Sequence, residues 1–116
     1  MAAMSTLVQS RLVAAAFEHR VAADLLERGL QVFMNAGDSG PADIVAWNVE
    51  KNAFAAIDVK ARRTAWVRKD GKVNLPQHDS TTGEWLVSVY NGVIHYPTGL
   101  SLVLGVELPQ NPLQVA

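Results

Sequence analysis

Three charged side chains interrupt the most apolar part of this chain, and their spacing could do chemistry. From Pro41 to Lys60 the residues read PADIVAWNVEKNAFAAIDVK. Two apolar runs, Ile44 to Trp47 and Ala53 to Val59, flank the link Asn48-Val49-Glu50-Lys51-Asn52. That is the pattern of two short strands and a tight turn. Asp43 stands at the mouth of the first run, and Asp58 and Lys60 at the end of the second. Residues i and i+2 of a strand share a face, so Asp58 and Lys60 point one way while Ile57 and Val59 point the other. Antiparallel neighbours lie about 4.8 Å apart, which sets Asp43 beside Asp58. Two carboxylates and an ammonium then converge on one patch. Charges in a β-core are costly unless paired or bound to a metal. The patch is therefore either a satisfied salt bridge of Lys60 with Asp43 or Asp58 at a sheet edge, or a site.

A fourth charge stands out upstream. Residues from about Ser5 to Arg28 read as one long helix, with Ser5 or Thr6 as N-cap and Gly29 where a C′ glycine belongs. Val8, Leu12, Ala14, Ala15, Val21, Ala22, Leu25 and Leu26 form a broad apolar face, with Arg20, Asp24 and Glu27 opposite. Glu18 falls within roughly 40° of the centre of the apolar face, where a carboxylate needs a partner. A neighbouring Arg or a backbone donor would satisfy it. So would the Asp43/Asp58 patch, if the helix packs across the sheet.

Downstream of the helix, Leu30 to Met34 alternates as a short strand, and Asn35 to Gly40 (NAGDSG) is a loop of turn formers. The order Glu18, Arg28-Gly29-x-x-Val32, Ser39-Gly40, Pro41-x-Asp43-Ile44-Val45-Ala46, Asp58-x-Lys60 resembles the core of the PD-(D/E)xK nucleases. Within them it is similar to the small endonucleases of group I introns and phages, and to the archaeal Holliday-junction resolvases. The likeness covers roughly residues 15 to 63; it departs at the extra Ala42 between Pro41 and Asp43, and weakens beyond Lys60, where the family usually continues with a helix but Ala61 to Glu84 shows no helical apolar period.

The resemblance implies an α/β (α+β) fold: a restriction-endonuclease-like core with a long N-terminal helix on a mixed β-sheet, plus an extra C-terminal β-hairpin. It implies a Mg²⁺- or Mn²⁺-dependent DNA endonuclease of the intron or phage type. The alternatives are a structure-selective junction resolvase and a non-catalytic DNA-binding or assembly module. By the same resemblance Glu18, Asp43, Asp58 and Lys60 are the catalytic set, with Asp43, Asp58 and Glu18 on the metal. Symmetric cutting of duplex or branched DNA implies a homodimer or higher homo-oligomer.

Charge distribution fits that expectation better than total charge does. The formal net charge is −1, yet six of the ten Lys and Arg lie between Lys60 and Lys72. Arg62, Arg63, Arg68 and Lys69 are the expected DNA contacts, and Ser39 is either a phosphate contact or a plain turn residue. Gln77 and His78 read as loop residues. His19, His78 and His95 lack zinc spacing, and there is no cysteine.

The 116 residues suit one domain, with a core at 5–63, strands over 64–107 and a tail at 108–116. No apolar run reaches the ~20 residues of a membrane helix, and no leader pattern opens the chain. The expectation is a cytoplasmic protein of a bacterial or phage-infected cell. Strands are expected at Thr64–Val67, Lys72–Leu75, Trp85–Tyr90, Val93–Tyr96 and Leu100–Val106. Asn91-Gly92 forms the turn of the clearest hairpin. The apolar hairpin and the tail are the expected interface surface.

Overall fold

The computed structural model describes residues 6–37, 39–62, 66–67, 73–74 and 83–109. Helix α1 (Thr6–Glu27) is followed by β1 (Gln31–Met34), β2 (Ile44–Asn48), β3 (Ala53–Arg62), β4 (Trp66–Val67), β5 (Val73–Asn74), β6 (Trp85–Tyr90), β7 (Val93–His95) and helix α2 (Leu100–Leu104). Five strands form one mixed sheet in the order β1-β2-β3-β6-β7, and β4 and β5 pair separately. All neighbours in the large sheet are antiparallel except β3 and β6. The chain is thus an α+β fold, a long N-terminal helix on a five-stranded mixed sheet. The expected C-terminal hairpin is not an appendage: β6 pairs with β3, so the hairpin completes the main sheet.

Local chemistry explains the corners. Helix α1 ends at Gly29 (φ 88°), where the Gly29 amide donates to the Leu26 carbonyl at 2.9 Å and Leu30 to Leu25 at 3.2 Å. This is a Schellman closure, with Leu25 and Leu30 both buried beneath it. At the β6–β7 hairpin Asn91 (φ 51°) and Gly92 (φ 72°) both adopt the left-handed conformation that a two-residue primed turn requires.

One face of the sheet is the core. Ile44, Ala46, Ala55, Ile57, Val59, Val87 and Val89 pack with Val21, Ala22 and Leu25 of α1 and with Leu100, Leu104 and Leu108. On β3 the intervening residues Phe54, Ala56 and Lys60 are exposed. This is the period-2 alternation expected of a strand with one buried face.

Three expectations need correction. The run Leu100–Val106 is not a strand, because Leu100 and Leu104, one helical turn apart, are both fully buried while Leu102 is 87% exposed. Gly99 and Gly105 bracket that turn in left-handed conformations, which an extended strand cannot accommodate. The C-terminal end of α2 is held by the β2–β3 turn: Asn48 Nδ2 donates to the Leu104 carbonyl at 2.8 Å and Lys51 Nζ to the Gly105 carbonyl at 2.9 Å.

Second, the apolar face of α1 is only half used. Val8, Leu12 and Leu26 are exposed, and Leu12 with Val13 and Phe17 lines an open groove against Ala61, Val89 and the Asn91-Gly92 turn. Third, Asp24 is not on a solvent face. It accepts hydrogen bonds from the buried Tyr96 hydroxyl and from Arg28 Nε (2.9 Å), and Arg28 also donates to the Glu107 carbonyl at 3.1 Å. Burial first, then the bond to Asp24, pushes the Tyr96 phenol far above its ordinary pKa, so it stays a donor.

The start of the tail is docked rather than loose. Leu108 is buried, and its amide donates to Ser101 Oγ at 3.1 Å. Among the described residues no helix is long and apolar enough to cross a membrane.

Candidate functional site

The acid pair sits where β2 stops and β3 continues. Ile44 pairs with Ile57 at the last rung of the β2–β3 ladder, so Asp43 and Asp58 stand opposite each other one position beyond it. Beyond it, β3 runs on to Arg62 with β6 on its other side. Asp43 closes the notch left by β2. Its amide donates to the Ile57 carbonyl at 2.9 Å, and its Oδ2 accepts from the Val59 amide at 2.8 Å. The carboxylate thus satisfies a β3 donor that has lost its strand partner.

The preceding loop fixes this placement. Asn35 Nδ2 donates to the carbonyls of Ser39 (2.6 Å) and Ala42 (2.9 Å), while Asn35 Oδ1 accepts from the Gly37 amide at 3.0 Å. The Asn35 amide also donates to the Asp43 carbonyl at 3.0 Å. Asn35 is therefore the positioning residue for Asp43, and sequence reasoning named it only as a turn former. The available signal was an Asn with a Gly two positions on, the signature of a side chain that bonds its own loop. Ser39 is exposed here, and its carbonyl is one of the anchors Asn35 uses.

Asp58 faces away from the core, and its side chain is only 14% exposed. Lys60 shares its face, with Nζ 3.6 Å from Asp58 Oδ2 and a side chain 53% exposed. Burial, then a hydrogen bond shared with the Asp43 carboxyl, raises the Asp58 pKa to about 6, while Lys60 pulls the other way. A single ammonium does not offset burial and the neighbouring carboxyl, so Asp58 takes up its proton at a higher pH than a free aspartate does.

The sign of the resulting pH dependence is fixed. Between about pH 4 and pH 6 the folded chain binds more protons at Asp58 than the unfolded chain, so stability falls as pH rises through that window. Asp58→Asn removes the effect. Its Tm should match the wild type near pH 4 and exceed it by a few degrees above pH 6. That is about 1 kcal/mol once solvent screening is allowed for. Thermal melts at pH 4 and pH 7.5 measure it; a wild type more stable than Asp58→Asn at pH 7.5 would contradict it.

The residues expected to act together are thus only partly assembled. Asp43, Asp58 and Lys60 meet. Among the described residues no three His, Cys, Asp or Glu side chains form a group that could hold a metal ion, so Glu18 does not join the two aspartates in one. The geometry explains why. Helix α1 packs on the Ile57/Val59 face of the sheet, opposite the face that Asp58 and Lys60 present. Its neighbour Phe17 lines a groove with Ala61 and Val89, which puts this turn of α1 at the level of β3 beyond the end of β2.

Arg62 ends β3, two residues after Lys60. Arg63, Arg68, Lys69, Gln77 and His78 lie outside the described residues. The donors at the notch are hard carboxylate oxygens, and Mg²⁺ is held by one or two carboxylates with water and phosphate completing its shell. Asp43 and Asp58 fit that requirement, and a bound cation would oppose the burial and the neighbouring carboxyl that raise the Asp58 pKa. Compared with protein-family models, curated proteins and solved structures, the chain matches none.

Proposed function

We propose that the chain is a divalent-metal-dependent DNA endonuclease whose centre is Asp43, Asp58 and Lys60. One observation carries the reading: two carboxyls held face to face at a strand-end notch, with an exposed lysine on the same face as Asp58. Functional sites are where such unfavourable charge is retained. A pair kept only for structure would be expected to be compensated more fully.

In this reading Asp43 and Asp58 hold Mg²⁺ or Mn²⁺. The cation, when bound, supplies Lewis acidity toward the phosphoryl group and lowers the pKa of water. Lys60 donates to a phosphoryl oxygen or orients the attacking water, adding positive charge where negative charge develops. Its exposure leaves the amine free to swing from Asp58 to a phosphate. Cleavage of both strands would take a homodimer.

The test is incubation of supercoiled plasmid and of a four-way junction with Mg²⁺, with Mn²⁺ and with EDTA. Nicking with either cation and none in EDTA is the expected result. Intact DNA under all three conditions would remove the nuclease reading, and preference for the junction would move it to a resolvase.

A further inference from the structure

The face of β3 that carries Asp58 and Lys60 also carries an aromatic pair with no part in the cleavage chemistry. Trp47 and Phe54 are cross-strand partners on β2 and β3, and their rings stack with centroids 5.2 Å apart and planes 7° from parallel. Trp47 Nε1 donates to Asn52 Oδ1 at 3.2 Å, which holds the indole plane. Phe54 is 52% exposed.

The ladder between β3 and β6 starts only at Ile57–Trp85, so no described strand flanks Phe54 on the side away from Trp47. One more flat ring laid there would continue the stack. Alternation puts Phe54, Ala56, Asp58 and Lys60 on one face, and Phe54 lies four residues, about 13 Å, from Asp58.

We propose that Trp47 and Phe54 form a stacking platform for an unpaired nucleobase, so that the substrate is DNA with unpaired bases close to the scissile phosphate rather than continuous duplex. This rests on the nuclease reading. Two features favour a base over a protein side chain. The platform is two parallel rings with an open edge, which suits a planar partner. It also lies on the same strand face as Lys60, an exposed cation at a spacing that one nucleic-acid strand can bridge. Bases inside a duplex are already stacked and cannot reach it, whereas those of a flap, a junction or a single strand can.

The experiment uses the full chain in EDTA, where nothing is cut, with fluorescein-labelled oligothymidine and a blunt duplex of equal length. Wild type should bind oligothymidine with quenching of tryptophan fluorescence. Phe54→Ala should bind it at least about fivefold more weakly, with duplex affinity unchanged. Because Phe54→Ala also removes a cross-strand pair, Phe54→Trp is the control and should restore binding.

Equal affinity of wild type and Phe54→Ala for oligothymidine would overturn the proposal. So would a change from dimer to monomer in Phe54→Ala by sedimentation, which would make this face a contact between copies. Binding without the cation is independent of cleavage. A chain that nicks plasmid but fails here loses only the platform, and one that binds here but never cuts loses only the nuclease.

Discussion

Alanine at Asp58 or at Lys60 is expected to bring Mg²⁺-dependent cleavage down by at least about a hundredfold, to background in a nicking assay, without unfolding the chain. The two substitutions should do so for different reasons. On the proposed reading Asp58→Ala removes a cation ligand, so the rise in Tm expected of the wild type on adding Mg²⁺ should be absent. Lys60→Ala leaves both carboxyls, so that rise should persist or grow while cleavage is lost. Neither change empties the core, because Ile57 and Val59 on the opposite face carry the packing of this part of β3. Loss of Asp58 also removes the burial of a carboxylate whose pKa that burial raises, so this variant should melt no lower than the wild type at pH 7.5. Cleavage at wild-type rates by either variant would end the assignment.

The largest effect on stability is expected far from that notch, at Asp24. Its carboxylate accepts from the Tyr96 hydroxyl and pairs with Arg28, and Tyr96 is only 2% exposed. Asp24→Ala leaves a buried phenol without its acceptor and a guanidinium without its counter-charge, a loss of about 3 kcal/mol. For a domain of this size that lowers Tm by roughly 10 °C. Tyr96→Phe, which removes the donor and leaves the Asp24–Arg28 pair, should cost about half as much. Urea melts of the two variants give the comparison, and equal midpoints for Asp24→Ala and wild type would refute it.

These two sites differ in how far they could be read in advance. Asp43, Asp58 and Lys60 were legible because strand alternation and hairpin register are short-range and obey a period of 2. Once Ile44–Trp47 and Ala53–Val59 are strands, the acids must meet. Trp85–Tyr90 and its Asn91-Gly92 turn were legible for the same reason.

Asp24 was not legible, since a helical wheel records angle and not what lies outside. Tyr96, 72 residues away, turns a nominal solvent face into an interior one. The strand expected at Leu100–Val106 failed because a short apolar run carries no decisive period. Only burial of Leu100 and Leu104 with exposure of Leu102 separates the two conformations. Glu18 shows the third kind of limit. Its angle on α1 was readable, but the face of the sheet that receives the helix was not.

The clasp between the chain's two ends carries a consequence for how it folds. Asp24 meets Tyr96 across 72 residues, Arg28 meets the Glu107 carbonyl across 79, and Asn48 meets the Leu104 carbonyl across 56. Each contact closes a long loop, whose entropy must be lost before the contact returns any enthalpy. Refolding should accordingly be slow for so small a domain, in the range of milliseconds to seconds, with the segment from Tyr96 to Leu108 docking late. A sheet assembled before that segment arrives would expose Val21, Leu25 and Ile57 to other chains, making dilution the condition that favours recovery of the native fold.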